Sequence, residues 1–503
     1  MGTLAVKKRI VIAGASGFVG KPLVERLALQ HEVIALGRRA PEEMPENVVW
    51  RVCHLESLDE TVQALKGANV GVYLVHSMSP KANLVQGNFR EIDLLCADNF
   101  ARAAKKAGLE RIVYLGGLTE DGRELSEHLE SRKEVERALG HYGTPVYALR
   151  AGMVIGEGGS SFDILLKLVE RLPAMIIPKW GMSRTQPIAL TDIVDILTYT
   201  LTQTKRPPGA YDVGAPEAMT YREMLDKMAQ LMGRHPKMIP LTFDVPVVSL
   251  LWVSGITGTP RQLVLPLLES LHYDMVAKNK VMQEDAGVVG KHFEEMVTEA
   301  LAERKAKAAT HAEAPKRAPR SEHEEASHAK EKKRAAKTVL SVQRIGISYK
   351  ADARELPFQY FDWLVGAAVP NLRLETTKDG KISVFFRPFK KSILAFEEDR
   401  ESSSADRLVL RITGGLLVAD GTRGTFEFRI VDKAVLIVLD EFSPRLPFRL
   451  YAATQARVHT FVMNAFRKHL SKLSGIPMHH INSKQPLELA AKAESPVPAS
   501  ARG

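Results

Sequence analysis

Cysteine is scarce in this 503-residue sequence, which contains only Cys53 and Cys96. Two cysteines are too few for a disulfide framework, and neither has the spacing of a metal cluster. The longest apolar stretch, residues 245–256, is too short to cross a bilayer. The chain also lacks an HExxH sequence, a Walker motif and a nucleophile elbow, so we expect no metal centre. These absences favour a cytoplasmic protein with at most peripheral membrane contact.

The net charge of +10 is concentrated in one segment. Residues 303–337 contain eleven Lys or Arg against six Asp or Glu, which is half of the excess. The same segment has no large apolar residue and cannot build a core, so we predict a charged linker over residues 301–337. No aromatic residues interleave its basic ones, and we therefore expect no specific nucleic-acid binding. Weak attraction to anionic surfaces remains an alternative.

The first third of the chain alternates apolar strand patterns with helical ones, as parallel sheets covered on both faces do. Residues 88–107 have the apolar spacing of a helix. Six strands with right-handed crossovers predict a doubly wound α/β Rossmann sheet. The predicted strands are the run ending at Ala13, EVIALGRR (32–39), VVWRVCHL (48–55), VGVYLVHS (70–77), RIVYLGG (111–117) and PVYALRAG (145–152).

Beyond Met153 the alternation loosens into helical stretches separated by loops that contain Pro and Gly. The predicted helices are residues 162–172, 191–203, 220–232 and 261–271. We expect residues 1–300 to form one domain whose small inserted lobe comprises about 153–185 and 215–300. Such a lobe would cover the carboxyl ends of the strands, where ligands of these sheets bind.

Residues 338–475 have a different pattern, in which short strand-like runs are separated by Gly, Asp and Ser. This pattern predicts an antiparallel meander. A helix from about Tyr451 to Leu473 follows it, which indicates an α+β domain in which a curved sheet grips one long helix. We expect the polar tail, residues 476–503, to be disordered.

The stretch VIAGASGFVG, residues 11–20, combines the end of a buried strand with three glycines and the start of a helix. In this arrangement the helix amides face an anion. A side chain at Gly14, Gly17 or Gly20 would block either the pyrophosphate or the helix–strand contact. We therefore predict a dinucleotide phosphate cradle, with an ordinary glycine-rich turn as the alternative.

The end of the second predicted strand distinguishes between the two nicotinamide cofactors. NAD-specific folds usually place an acid there to hold the ribose hydroxyls. This chain has Arg38 and Arg39 instead. Two guanidiniums can donate charge-assisted hydrogen bonds to a 2′-phosphate, so the pattern favours NADP(H). A solvated basic turn is the alternative.

Several motifs resemble the atypical, extended branch of the short-chain dehydrogenase/reductases, specifically the NmrA-like NAD(P)H-binding proteins. The resemblance covers residues 7–295 and implies that Gly14, Ser16, Gly17 and Phe18 lie along the pyrophosphate. It also implies that Val75 and His76 approach the cofactor ribose and that Leu149 to Gly152 border the nicotinamide. The motifs are GASGFVG (14–20), YLVHSM (73–78), RIVYLGGL (111–118) and LRAGMVIG (149–156).

The chain departs from this family where catalytic members carry a Tyr-x-x-x-Lys pair on the helix after the fifth strand. In those members the tyrosine protonates the carbonyl oxygen as hydride arrives. Here the helix reads EHLESRKEVERAL and has no tyrosine. His128 and Arg132 share one helix face and are our candidate substitutes, because an imidazole can act as a general acid near neutral pH. The alternative is a solvated helix with ordinary charges.

The C-terminal pattern is similar to START-like, helix-grip lipid-binding domains, although only in topology. Its aromatic residues lie in the stretches ELPFQYFDWLVG (355–366) and FFRPF (385–389). They either line an apolar ligand cavity or simply fill the core.

These features together predict an NADP(H)-binding oxidoreductase-like protein. The first hypothesis is a reductase of a hydrophobic carbonyl or enone. The missing tyrosine supports a second one, a non-catalytic NADPH-sensing regulator or assembly factor with a protein partner. NmrA-like regulators and an accessory subunit of respiratory complex I, which this branch resembles, keep the scaffold without turnover.

Overall fold

The computed structural model describes residues 7–41, 44–76, 84–120, 125–243, 246–313, 338–347, 351–368, 371–377, 380–421 and 424–473. These residues fall into two compact units. The first unit comprises residues up to 76 and residues 93–313, and the second comprises residues 84–92 together with residues 338–473.

The strands and helices are numbered along the whole chain. The strands are β1 (Arg9–Ala13), β2 (Glu32–Gly37), β3 (Val48–Val52), β4 (Val70–Tyr73), β5 (Leu84–Gln86), β6 (Arg111–Gly117), β7 (Val146–Ala151), β8 (Val154–Ile155), β9 (Ala174–Ile177), β10 (Arg184–Thr185), β11 (Ile188–Ala189), β12 (Gly209–Val213), β13 (Met219–Thr220), β14 (Lys237–Pro240), β15 (Val339–Gly346), β16 (Leu372–Thr376), β17 (Ile382–Phe386), β18 (Leu394–Glu398), β19 (Arg407–Gly414), β20 (Thr425–Val431) and β21 (Ala434–Phe442). The helices are α1 (Gly20–Ala28), α2 (Leu58–Ala64), α3 (Phe89–Ala107), α4 (Glu127–Gly140), α5 (Ser160–Arg171), α6 (Leu190–Thr202), α7 (Tyr221–Leu231), α8 (Pro246–Thr257), α9 (Arg261–Ser270), α10 (Val281–Asp285), α11 (Phe293–Glu313), α12 (Leu356–Trp363), α13 (Phe448–Ala453) and α14 (Gln455–Leu473). A 3₁₀ helix spans Lys179–Met182 and a π-helical turn spans Leu364–Ala368.

A seven-stranded parallel sheet forms the centre of the first unit, in the order β12-β7-β6-β4-β1-β2-β3. Apart from Arg9 at the start of β1, its central strands β1 and β4 are apolar and buried, as expected for a sheet covered on both faces. The six predicted strands are confirmed, and the α/β doubly wound fold is present. The seventh strand, β12, pairs with β7 and lies between the two segments predicted for the lobe, where the sequence analysis predicted no strand.

The lobe beside this sheet has a core of its own, built mainly from α5, α7, α9 and α11. The four helices predicted beyond Met153 are confirmed within two residues at each end. Helix α7 begins at a capping box, in which Thr220 and Glu223 satisfy each other's backbone amides. Helix α11 continues to Glu313, so the first part of the predicted linker is helical, and residues 314–337 lie outside the described residues.

An antiparallel meander forms the second unit, in the order β16-β17-β18-β19-β20-β21, followed by β15 and β5. Helices α12 and α14 pack against it through a core of aromatic side chains that touch one another. The predicted meander and long C-terminal helix are both present. The resemblance to START-like domains stays a prediction, and the predicted disordered tail lies outside the described residues. The buried aromatic set is Tyr360, Phe361, Phe396, Phe426, Phe428 and Phe466.

One strand of this second sheet comes from far earlier in the sequence. Strand β5 pairs in parallel with residues 339–341 of β15. The side-chain amide of Gln86 donates to the Ala456 carbonyl oxygen at 2.7 Å and to the Thr460 hydroxyl at 3.1 Å. Residues 84–92 therefore belong structurally with residues 338–473, although their neighbours on both sides in the sequence belong to the first unit.

Among the described helices, none combines the length and the apolar character that crossing a membrane requires.

Candidate functional site

The three glycines between β1 and α1 form a tight turn whose geometry excludes side chains. Gly14 has φ of +89°, and the amide of Gly17 donates to the Gly14 carbonyl oxygen at 2.9 Å. A Cβ at Gly20 would overlap the same carbonyl oxygen, so this glycine permits the close approach of helix and strand. Helix α1 begins here without a side-chain cap. The Lys21 amide donates to the Gly17 carbonyl oxygen at 3.1 Å and Pro22 has no N–H, so the partial positive charge of the helix N-terminus is what favours an anion here.

Phe18 connects this turn to the lobe. A Cβ at Gly156 or Gly159 would lie 3.2 Å or 2.9 Å from the end of the Phe18 ring. The ring therefore packs on the turn that precedes α5. Phe18 therefore places the predicted phosphate cradle in contact with the start of the lobe.

A cavity of roughly 390 Å³ opens beside the glycines and extends into the lobe. Its walls include the predicted cofactor residues Gly14, Gly17, Phe18, Gly20 and Gly152. Predicted residues that do not line the cavity are Ser16, which is exposed in the glycine turn, Val75, which is half-buried after β4, and the exposed pair Arg38 and Arg39.

Two histidines and an arginine lie together in the cavity wall, whose polar residues also include Ser160, Ser161 and Ser270. His76 follows β4, and its Nδ1 lies 2.7 Å from Asp93 Oδ2. His128 is in the first turn of α4, and its Nδ1 lies 2.9 Å from the Ser270 hydroxyl. The two imidazole centroids are 5.4 Å apart, and Arg132 lines the cavity beside them. The structure thus brings together His76, His128 and Arg132, which the sequence had assigned to two separate roles.

Both imidazoles are held in the neutral form at physiological pH. Burial first, and the positive charge of Arg132 second, lower the pKa of His128 to about 3. The same two causes lower the pKa of His76, against the opposing hydrogen bond and charge of Asp93. Because the Asp93 carboxylate is 1% exposed and can only accept, the neutral tautomer of His76 donates from Nδ1. The permanent charge of the group is that of Arg132.

Tyr114 lies near this group, but its position does not match that of a catalytic tyrosine. It is on β6, is fully buried, and its hydroxyl donates to the Arg132 carbonyl oxygen at 3.3 Å. Burial raises the pKa of its hydroxyl. Tyr114 is therefore a packed residue that supports the Arg132 backbone.

The lobe makes the rest of the cavity apolar. Three walls meet there: α5, the 3₁₀ helix with α7, and α9. The rings of Trp180 and Tyr221 are arranged edge to face, with their centroids 6.2 Å apart. The apolar lining residues from the lobe include Met153, Ile164, Leu165, Leu168, Val253, Val264, Leu267, Leu268, Leu271 and Met275.

Gly152 is required by packing as well as by its place in the cavity. A Cβ there would lie 2.7 Å from the Gln186 carbonyl oxygen. Gln186 in turn donates to the Ala215 carbonyl oxygen at 2.6 Å and accepts from the Ala277 amide at 2.9 Å. This close approach fixes the end of β7 against the lobe.

Sequence reasoning missed Asp93 and Ser270. Asp93 follows His76 by 17 residues and Ser270 follows His128 by 142, so neither pair has a motif-like spacing. Asp93 lies on a face of α3 whose sequence reads as core, and its burial beside a histidine becomes visible only in the fold. A buried acid in an apolar helix face was the one available signal.

Comparisons with known proteins agree with the prediction of a dinucleotide-binding site and do not distinguish NADP(H) from NAD(H). Residues 14–153 match the family model described as NAD(P)H-binding. Auxiliary protein GraX of Staphylococcus aureus is 27% identical over 143 residues, which are 28% of this chain and 43% of that protein. Mitochondrial NADH dehydrogenase (ubiquinone) 1 alpha subcomplex subunit 9 of Arabidopsis thaliana is 21% identical over 245 residues, 46% of this chain and 60% of that protein. The chain spans about half the length of these two curated relatives.

A third relative is named as an enzyme. The (4-alkanoyl-5-oxo-2,5-dihydrofuran-3-yl)methyl phosphate reductase of Streptomyces griseus is 25% identical over 236 residues, 47% of this chain and 76% of that protein. The matched family model assigns NAD(P)H binding to residues 14–153, which contain the glycine turn.

Proposed function

We propose that this protein is an NADP(H)-dependent oxidoreductase that reduces a hydrophobic carbonyl or enone. One observation carries the proposal: a single cavity begins at the glycine turn, passes His76, His128 and Arg132, and ends in the apolar lobe. Clefts with apolar walls and a few convergent polar groups are the usual binding sites for small molecules. The named reductase among the relatives supports a reaction of this class.

The cofactor would supply a hydride, and the chain's residues would hold its phosphates and orient the substrate. The N-terminus of α1 would bind the pyrophosphate, and the turn before it has no room for side chains, since a Cβ at Gly14, Gly17 or Gly20 would meet backbone atoms at 3.1 Å or less. Arg38 and Arg39 follow β2 and are exposed to solvent. Their guanidiniums would donate to a 2′-phosphate, which is the reason for choosing NADP(H) over NAD(H).

The polar group in the cavity replaces the missing tyrosine. Arg132 supplies a permanent positive charge that stabilises a developing oxyanion. His128, neutral at physiological pH, would donate a hydrogen bond to the substrate oxygen, and a solvent water would supply the proton that completes reduction. Asp93 would hold His76 in one tautomer, in the way that carboxylates orient catalytic imidazoles.

The apolar part of the cavity sets the substrate class. Apart from Ser160, Ser161 and Ser270, its lobe walls are aliphatic and aromatic, so a molecule with a long or bulky apolar body would be favoured over a sugar. The substrate carbonyl would lie at the polar part, next to the cofactor. Burial of the apolar body would provide most of the binding free energy, at about 25 cal/mol per Å².

Stopped-flow measurement of NADPH oxidation tests the proposal against a panel of quinones, isoprenoid ketones, enones and long-chain aldehydes. Leu267→Trp would fill the lobe part of the cavity. We expect this variant to raise KM for the best substrate by about tenfold while leaving NADPH affinity unchanged. The matched control is Leu265→Trp on the same helix, because Leu265 is exposed. Tight NADPH binding without turnover of any compound in the panel would contradict the proposal.

A second candidate function is a non-catalytic NADPH sensor or assembly factor. Helix α4 spans Glu127 to Gly140 and has no tyrosine. The nearby Tyr114 is buried, and its hydroxyl donates to the Arg132 carbonyl oxygen. The discriminating measurement is a pull-down at controlled NADP⁺/NADPH ratios. Partners that change with the ratio, together with absent turnover, would favour the sensor, whereas the same partners at every ratio would exclude it.

A further inference from the structure

The last two helices of the second unit have an uneven charge composition. From Phe448 to Leu473 the chain contains five Lys or Arg and neither Asp nor Glu. Asp and Glu make up 59 of 503 residues, so an average stretch of this length would contain about three. Helices α13 and α14 are therefore a local source of positive charge, separate from the charged linker.

Helix α14 buries one face and exposes another. Val462, Met463, Phe466 and Leu470 are in the core of the second unit. Phe461, on the opposite side, is 71% exposed. At least one large apolar side chain of this helix is therefore not buried against the sheet of the second unit.

Apolar and basic residues share the exposed side. Val458 is 60% exposed and Leu450, on α13, is 50% exposed. Arg449, Arg457 and Lys468 are exposed as well. We call four residues that share one face of α14 the basic helix face: Arg457, Val458, Phe461 and Lys468. Arg467 is excluded from it because its guanidinium donates to Glu91 Oε1 at 3.0 Å within the second unit.

We propose that the basic helix face docks this protein on the surface of an anionic lipid bilayer. Interfacial helices of this kind combine Lys and Arg with Phe and Leu, so that the charges meet headgroups and the apolar side chains enter the headgroup–acyl boundary. Anionic leaflets attract clustered basic residues within about a Debye length. A purely polyanionic partner would use the charges and leave Phe461 and Val458 in water, which is why lipid is the favoured occupant.

Co-sedimentation of the full-length protein with vesicles tests the proposal. One vesicle set is phosphatidylcholine alone. The other contains about 30% phosphatidylglycerol, which gives the vesicles a negative surface potential. We expect the protein to sediment with the anionic vesicles and to be released as salt rises from about 0.1 M to 0.5 M, because the Debye length shortens. Equal sedimentation with both vesicle sets, or with neither, would overturn the proposal.

Two double variants separate the charge from the apolar contribution, each with a matched control. Arg457→Glu with Lys468→Glu should reduce anionic-vesicle binding by at least about tenfold. Lys332→Glu with Lys333→Glu makes the same charge change in the predicted linker and should have little effect. A result in which the linker pair abolishes binding and the α14 pair does not would assign the docking to the linker and contradict our proposal.

The apolar residues are tested in the same way. Val458→Ser with Phe461→Ser should weaken vesicle binding, while Val289→Ser with Phe243→Ser should not, because Val289 and Phe243 are also exposed but lie outside the basic helix face. Heparin binding serves as the polyanion comparison. If heparin binds the protein and loss of Phe461 leaves vesicle binding unchanged, the face is a general polyanion site and insertion into lipid is excluded.

A fluorescence measurement reports insertion directly and does not depend on a loss of binding. In Phe461→Cys an environment-sensitive fluorophore can be attached selectively, because Cys53 and Cys96 are 3% and 2% exposed. We expect a blue shift on addition of anionic vesicles and none with the label at Phe243→Cys. An unshifted label at position 461 in a protein that sediments with vesicles would overturn the assignment of this face.

Discussion

Arg38 and Arg39 are the residues through which cofactor choice can be tested. Both side chains are exposed just after β2. We predict that Arg38→Asp with Arg39→Asp lowers NADPH affinity by at least about tenfold, because charge-assisted hydrogen bonds contribute about 1.5–3 kcal/mol each. NADH affinity should change little. Isothermal titration with both cofactors measures this, and Lys105→Asp with Lys106→Asp is the control of equal charge change. Equal affinity of the wild type for NADPH and NADH would remove the 2′-phosphate assignment.

His128 gives a pH signature that is independent of any substrate. Burial lowers the pKa of its imidazole to about 3, whereas an unfolded histidine titrates near 6.5. The unfolded state therefore binds a proton that the folded state excludes, and the contribution of His128 to stability is present above about pH 6.5 and is lost as the pH falls toward 3.

We predict that this loss is visible as a difference between two proteins. From pH 6 to pH 5 the free energy of unfolding of the wild type should fall by about 1 kcal/mol more than that of His128→Asn. Urea titrations at pH 7, 6 and 5 measure both proteins, and the other buried histidines contribute equally to each. Parallel pH profiles for the two proteins would show that His128 is accessible to protons in the folded state.

At the scale of single elements, Glu91 fixes the early segment of the second unit. Its carboxylate is buried and accepts from the Arg467 guanidinium at 3.0 Å, the Arg344 amide at 3.2 Å and the Asn88 amide at 2.8 Å. The Arg467 side chain is 32% exposed, so the main cost of removing this carboxylate is the loss of the acceptor of the Arg344 and Asn88 amides, at about 1–3 kcal/mol for each buried donor.

We therefore predict that Glu91→Ala increases hydrogen exchange of the β15 amides by at least about a hundredfold, because local opening becomes easier. Glu375→Ala is the control, since Glu375 pairs with Arg373 on the exposed surface of β16 and such pairs contribute about 1 kcal/mol or less. Unchanged β15 exchange in Glu91→Ala would mean that β5 and its following turn are not required for the second sheet.

The same elements explain how far sequence reasoning reaches. Strands such as β6 were predicted to the residue, because a buried apolar run bounded by Gly is an unambiguous pattern. Strand β12 reads GAYDV, and Asp212 in its interior interrupts the apolar pattern. The Asp212 carboxylate accepts a hydrogen bond from the Lys278 amide at 2.9 Å. Strand β5 has three residues and is a strand because it pairs with β15. Its short sequence contains no pattern from which a strand could be predicted.

The candidate site was predictable to the same extent. Gly14 and Gly20 have strict steric roles, and such roles leave a signature in sequence. His128 and Arg132 were found by their spacing on one helix. Their grouping with His76, and the burial that lowers the pKa of both histidines, depend on side chains contributed by α3 and α9 that are distant in sequence.

At the scale of the whole molecule, the cavity and the second unit are formed by different residues. Every residue that lines the cavity lies between Gly14 and Met275. A fragment of residues 1–317 therefore contains the complete phosphate cradle and the lobe, while residues 84–92 lose the sheet to which β5 belongs. This division allows cofactor binding and the folding of the second unit to be measured independently.

We predict that the 1–317 fragment binds NADPH within about threefold of the full chain, a difference of less than 1 kcal/mol. Exchange of the amides in residues 84–92 should rise at least about tenfold, because the hydrogen bonds to β15 and the contacts of Gln86 and Glu91 are absent. Titration calorimetry and hydrogen-exchange mass spectrometry on the same sample provide both numbers. Added NADPH should leave exchange in residues 84–92 fast while slowing exchange around Gly14 to Gly20, because ligand binding stabilises only the structure that contains its site. A folded fragment that fails to bind NADPH would show that the cradle depends on residues beyond 317.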